Sequence, residues 1–172
     1  MIAGDQATVT VLVDVEPAVA FEVFTQEIDL WWRRNVAYRV AGRKPGTLVL
    51  EGKVGGRLFE QYEGPAGPAI HEAGRITVWE PPPAGDPEAR GRLAFDWRGV
   101  NFGPGEITHV EITFTRTESG KTQLVLVHRG FAALRPDHPV RHGQPPAKFI
   151  AGLGMWWGQL LTSMRERARD RA

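Results

Sequence analysis

From residue 46 onward the chain is cut into six short runs of strand-forming residues, and the breakers between them decide what kind of sheet they can build. The runs are TLVLEG, GRLFEQY, GRITVWE, RLAFDWR, THVEITFTRT and TQLVLVH. Their β-branched and aromatic side chains suit a pleated, half-buried surface. GGR, EGPAGPA, PPPAGDPEARG and VNFGPGE separate them, so neighbouring strands are most simply antiparallel. The insert PPPAGDPEARG, residues 81 to 91, is long for a hairpin and predicts a mobile surface loop. ESG at 118–120 signals a tight turn, and pairing outward from it sets Val110 opposite His128, Ile112 opposite Leu126 and Phe114 opposite Leu124. His128 therefore belongs to the apolar face, while His109, Glu111, Thr113 and Thr115 read as the wet side.

Before these runs, Val9, Val11, Val13 and Val15 alternate with Thr8, Thr10, Leu12 and Asp14, which predicts a strand over 7–15. Pro17 suits a first helical turn, and Val19, Ala20, Val23 and Phe24 recur at helical spacing, predicting a short helix over 17–24. Thr25 can cap a second short helix. Ile28, Trp31 and Trp32 stand in it at i, i+3 and i+4, which would put both indoles on one face. After a loop over 135–146, Phe149, Ile150, Leu153, Trp156, Trp157, Leu160, Leu161 and Met164 fall within an arc of about 140°. That is a core-facing helix carrying a second Trp-Trp pair. The fold class is α+β. A seven-stranded antiparallel sheet twists strongly, and one helix of about 20 residues on its concave side fills only part of the enclosed space, so a cavity is expected.

The 172 residues fit one domain over 1–172, with its core at about 8–168. With 24% charged residues and no apolar run near the roughly 18 residues of a membrane span, no membrane span is expected. The N-terminal stretch reads as a strand, not a secretory signal. There is no cysteine, which excludes disulfides, thiolate nucleophiles and cysteine-rich zinc sites and points to the cytoplasm. A formal charge of +1 gives no electrostatic footprint for nucleic acid. The basic tail RERARDR is read as a solvated helix end. A homodimer is compatible with the sequence.

VEPAVAFEVFTQEIDLWW, LEGKVGGRLFEQY, GRITVWEPP followed by RLAFDWR, TQLVLVHRGF and GMWWGQLLTSM resemble, in order and near spacing, the START and polyketide-cyclase (SRPBCC) superfamily. Within it they look most like the branch named for the activator of the heat-shock-protein-90 ATPase. The likeness spans about residues 8 to 168. It implies a helix-grip fold, a bent antiparallel sheet around a long C-terminal helix with a hydrophobic ligand cavity between them. Relatives of this kind include carriers of lipids and small metabolites, ring cyclases and co-chaperone domains, so fold does not give function. Two features depart from the pattern: the insert at 81–91, and Trp156 standing where the usual glycine-tryptophan pair has its glycine.

These readings favour a module that binds a small apolar or aromatic metabolite, lined by Trp32, Phe59, Phe95, Trp97, His128, Phe131, Trp156 and Trp157. Each paired indole offers an apolar face and a single N–H donor. The alternative is a cyclase, dehydratase or hydrolase in which His128, helped by a carboxylate such as Glu60 or Asp96, moves a proton; no catalytic residue is otherwise assigned. Arg57, Glu60, Arg75 and Asp96 are possible polar lining, on strands mixed on both faces. A third reading, a chaperone-ATPase-activating domain, is discounted because the resemblance covers an isolated C-terminal domain. Asp137, His138 and His142 lack the rigid support of a metal site. GRKPG and EGPAGPA lack the strand-to-helix context of a phosphate loop. No metal or cofactor is expected. Gly152, Gly154 and Gly158 each cost about 1 kcal/mol relative to alanine inside a helix, which calls for either close approach of the sheet or room for a ligand.

Overall fold

A computed structural model describes residues 5–41 and 45–172. The order of elements is strand β1 (Ala7–Val13), helices α1 (Pro17–Gln26) and α2 (Ile28–Trp31), strands β2 (Thr47–Leu50), β3 (Arg57–Gly64), β4 (Gly67–Glu80), β5 (Arg90–Trp97), β6 (Thr108–Arg116) and β7 (Thr122–Arg129), two single-turn 3₁₀ helices, and α3 (Pro146–Arg169). The seven strands form one sheet in the order β1-β7-β6-β5-β4-β3-β2, antiparallel throughout. This is the expected α+β layout. The β6–β7 hairpin has the register expected from its turn, with Val110 against His128, Ile112 against Leu126 and Phe114 against Leu124. EGPAGPA is a hairpin tip, the ladder running out to Gly64 opposite Gly67. GRKPG lies partly outside the described residues.

β1 and β2 are the two sheet edges, so α1 and α2 carry the chain from one edge to the other across one face. α3 packs on the same face, against β1, α1 and α2. The face they cover is formed by every second residue: Val11 and Val13, Leu124 and Leu126, Val110, Ile112 and Phe114, Leu93 and Phe95, Leu58 and Leu48. β4 bends twice. Its ladder with β3 steps from Gly74 to Glu72 between Leu58 and Phe59, and its ladder with β5 skips a residue between Ile76 and Val78. Each extra residue is a bulge that raises the local twist and curves the sheet around the helices. Gly74 sits at the first bulge because a Cβ there would come within 1.8 Å of the Asp96 carbonyl oxygen.

The loop over 81–89 is mostly exposed, yet it is tied to the body: Gly85 N–H donates to Glu16 at 3.1 Å and Arg116 N–H to the Ala89 carbonyl at 3.3 Å. α2 ends one residue earlier than expected. Trp32 has left the helix, with extended backbone at φ −70° and ψ 117°, so the first indole pair does not share a helical face. Trp31 turns back toward α1, 5.0 Å from Phe24, while Trp32 turns toward β5 and α3. Arg39, buried, holds the loop that follows: it pairs with Asp29 at 2.7 Å and donates to the carbonyls of Trp32 at 2.9 Å and Arg33 at 3.2 Å.

Candidate functional site, an aromatic cluster beneath the terminal helix

Five of the six tryptophans meet between the C-terminal end of β5, the segment after α2 and the first half of α3. Trp32 is the hub. Its ring centre lies 5.5 Å from Trp31, 6.2 Å from Trp97, 5.9 Å from Trp156 and 5.6 Å from Trp157. Trp97 adds contacts to Trp156 and Trp157, each at 6.2 Å, and to His128 at 5.9 Å. Most of these pairs are edge-to-face, the arrangement in which the positive ring edge meets the negative face. Trp79 stands apart, 4.9 Å from Phe21.

All four paired indoles spend their single N–H inside the protein. Trp31 donates to the carbonyls of Val23 and Phe24 at 3.1 and 3.2 Å, Trp32 to Tyr38 at 2.7 Å, Trp156 to Ala37 at 2.7 Å, and Trp157 to His128 Nδ1 at 3.1 Å. Trp31, Trp32 and Trp157 are fully buried. Trp156 alone is partly exposed, stacked on Tyr38 with ring centres 6.1 Å apart.

His128 is locked into one neutral form. An indole nitrogen can only donate, so Nδ1 accepts, and the ring proton sits on Nε2 and is donated to Thr108 Oγ1 at 2.7 Å. Burial, with a smaller contribution from His109, pushes its pKa down to about 3. Both nitrogens are occupied. The carboxylates that the sequence offers as its helpers are committed elsewhere. Glu60 faces inward but accepts from the backbone N–H groups of Ala41 at 3.2 Å and Gly46 at 2.8 Å, and Asp96 lies 3.3 Å from His109 Nδ1 on the other face of the sheet. Arg57 pairs with Glu51 at 2.8 Å, and Arg75 pairs with Glu72.

The other expected lining residues divide. Phe95 is in the main core, opposite Val110. Phe131 belongs to a second small core with Leu134 and Phe149, and its ring meets His128 at 4.8 Å, so it extends the cluster toward the start of α3. Phe59 does not join it. The bulge beside it is on β4, so β3 keeps its alternation and Phe59 points away from Leu58 and Glu60, beneath the Arg57 guanidinium at 4.7 Å. Tyr38, Ala37 and Thr108 were not anticipated. Thr108 was within reach of the hairpin register, since it shares the inward face of β6 with Val110; Tyr38 and the Ala37 carbonyl belong to an irregular loop that carries no periodic signal.

The cavity expected between the sheet and α3 is filled by these rings together with Phe24, Phe95 and Phe114. Two open clefts lie elsewhere. One of about 430 Å³ is lined by Pro45, Gly46, Thr47, Gln61, Tyr62 and Glu63 at the β2–β3 edge, and one of about 210 Å³ by Glu72, Gly74, Arg75, Asp96 and Arg98. In the loop before α3, Asp137 pairs with Arg135 at 3.2 Å and His138 donates to Glu106 at 3.0 Å, and among the described residues no group of three metal-ligating side chains is found.

No family model and no curated protein matches the sequence. Solved structures do match. CalC from Micromonospora echinospora, a self-sacrificing resistance protein, superposes with a TM-score of 0.61 at 21% identity over 99% of this chain and 98% of its own. An HSP90 activator from Plasmodium falciparum gives 0.54 at 16% identity over 88% of this chain and 87% of its own. DynU16, from the dynemicin biosynthetic locus, gives 0.58 at 18% identity over 94% of this chain and 46% of its own. The chain shares the fold of these structures, a curved antiparallel sheet around a long C-terminal helix, the helix-grip arrangement. In this helix-grip fold the aromatic cluster lies in the grip itself, between the curved sheet and the helix it holds. Among the described residues no helix is long and apolar enough to cross a membrane.

Proposed function

We propose that this helix-grip protein binds a small, flat, apolar or aromatic molecule at the tryptophan cluster. One observation carries the reading: the cluster reaches the surface at Trp156, which is partly exposed and set among the rings of Trp32, Tyr38, Trp97 and Trp157. Rings of this kind give a guest large apolar area and edge-to-face partners. Each buried Å² of apolar guest surface contributes about 25 cal/mol before the cost of immobilising it. The names of CalC and DynU16 connect the same fold with resistance and with a biosynthetic locus. A turnover reading through His128 loses its support, because a buried imidazole with both nitrogens bonded, too weakly basic to take up a proton at neutral pH and without a titratable group bonded to it, is not placed to act as a general base.

Isothermal titration of the purified protein with indole, 2-naphthol and naphthalene tests the proposal. Saturable binding with a negative heat-capacity change is expected, weakened at least tenfold in Trp97→Ala. Absence of saturable binding, or binding untouched by Trp97→Ala, would overturn it.

A further inference from the structure

Trp156 has the contacts of a bound guest. Its ring is held on three sides by Trp157 at 4.9 Å, Trp32 at 5.9 Å and Trp97 at 6.2 Å, with Tyr38 stacked at 6.1 Å on another, and its only polar atom donates to the Ala37 carbonyl at 2.7 Å. The other three paired indoles are fully buried and tie elements together, whereas Trp156 alone has a path to solvent. The helix leaves it room to move. A helical side chain lies over the turn N-terminal to its own Cα, and one turn before Trp156 stands Gly152, where a Cβ would find nothing within 4 Å. The same is true at Gly154 and Gly158, so none of the three glycines is required by close approach of the sheet.

We infer that Trp156 is an internal stand-in for the ligand: it occupies the slot that the guest takes, and binding swings it out over Gly152. This rests on the binding function proposed above and sets its ligand class. The slot it vacates is as large and flat as an indole, walled by aromatic rings and furnished with one acceptor, the Ala37 carbonyl. The matching guest is a planar two-ring aromatic with a single N–H or O–H donor on its edge. A guest without the donor forgoes that hydrogen bond and binds less tightly. The side chain also lowers apparent affinity, because the guest binds only the fraction of molecules in which Trp156 is out.

The experiment compares wild-type protein with Trp156→Ala and with Trp156→Leu, which keeps apolar packing should the alanine variant fold poorly, each checked by circular dichroism and titrated calorimetrically with indole and with naphthalene. Removing the internal competitor is expected to tighten indole binding at least tenfold in the variants, with a smaller gain for naphthalene. If wild type binds indole and the variants bind it equally or more weakly, the inference falls while the binding function stands. If only the variants bind, the slot and its occupant are supported and the proposed function of the native chain fails. If none binds, both fall.

Discussion

The proton on His128 is fixed by a neighbour that has no choice. Trp157 Nε1 can only donate, so Nδ1 accepts at 3.1 Å, and Nε2 donates to Thr108 at 2.7 Å. Its pKa is pushed down to about 3, by burial first and by His109 second, far below the roughly 6.5 of an unfolded chain. Between these values the unfolded state binds the proton and the folded state does not. Stability from this group is therefore complete above about pH 6.5 and falls as pH is lowered toward 3, by about 1.4 kcal/mol per pH unit. The carboxylates held below their usual range, among them Asp29, Glu51 and Glu106, act lower down, each losing its contribution as pH falls below about 4.3. The interval from pH 6 to 4.5 lies above the carboxylate range and inside the span over which His128 contributes. In His128→Gln, whose amide can accept from Trp157 and donate to Thr108, the slope of urea-unfolding stability against pH is expected to flatten across that interval. An unchanged slope would place the proton elsewhere.

At the scale of elements, two kinds of glycine make opposite predictions. Gly158 is inside α3 with open space where a Cβ would stand, so Gly158→Ala is expected to gain about 1 kcal/mol from helix propensity and to raise Tm by about 3 °C. Gly74, whose Cβ would meet a carbonyl oxygen at 1.8 Å, answers differently: Gly74→Ala is expected to cost about 3 kcal/mol, read in the same thermal scan. The two positions also mark where the sequence could be read. Period-two alternation and the ESG turn fixed the β6–β7 register residue by residue, because both strands are regular and joined by a tight turn. The bulges of β4 were not legible, since an extra residue changes no composition, whereas the facing of Phe59 away from Leu58 follows from the regular alternation of β3, which the mixed composition of that strand hid. Helical spacing found α3 and its buried stripe, but not that α2 would release Trp32 into extended backbone. Backbone departures of one residue decide which side of a layer a ring occupies.

Over the whole molecule, the chain crosses from edge strand β1 to edge strand β2, and the segment after α2 is the part of that crossing that α3 must hold down. Among the described residues Ser163 Oγ donates to the Trp31 carbonyl at the end of α2 at 2.6 Å, and the segment itself is held by Arg33, which donates to the Gln159 side chain at 3.2 Å and to its carbonyl at 3.4 Å, and by Trp156, which donates to the Ala37 carbonyl at 2.7 Å. Only the last joins this segment to the cluster's exposed ring. The sequence indicated an interior lined by indoles; it did not indicate that the same indoles would fill it, because filling depends on how far the sheet curves and where an irregular loop offers its carbonyls. Trp156→Phe separates the ring from the bond, keeping apolar contact and removing the donor. Losing one hydrogen bond is worth about 1 kcal/mol. The amides of Tyr38 and Arg39, which donate to the Asn35 carbonyl at 2.9 and 3.1 Å, are therefore expected to exchange hydrogen about fivefold faster in Trp156→Phe, while amides of the central β6–β7 ladder keep their wild-type rates. Uniform acceleration in the segment and the ladder alike would show that Trp156 supports the fold globally and has no separate hold on the mouth of the grip.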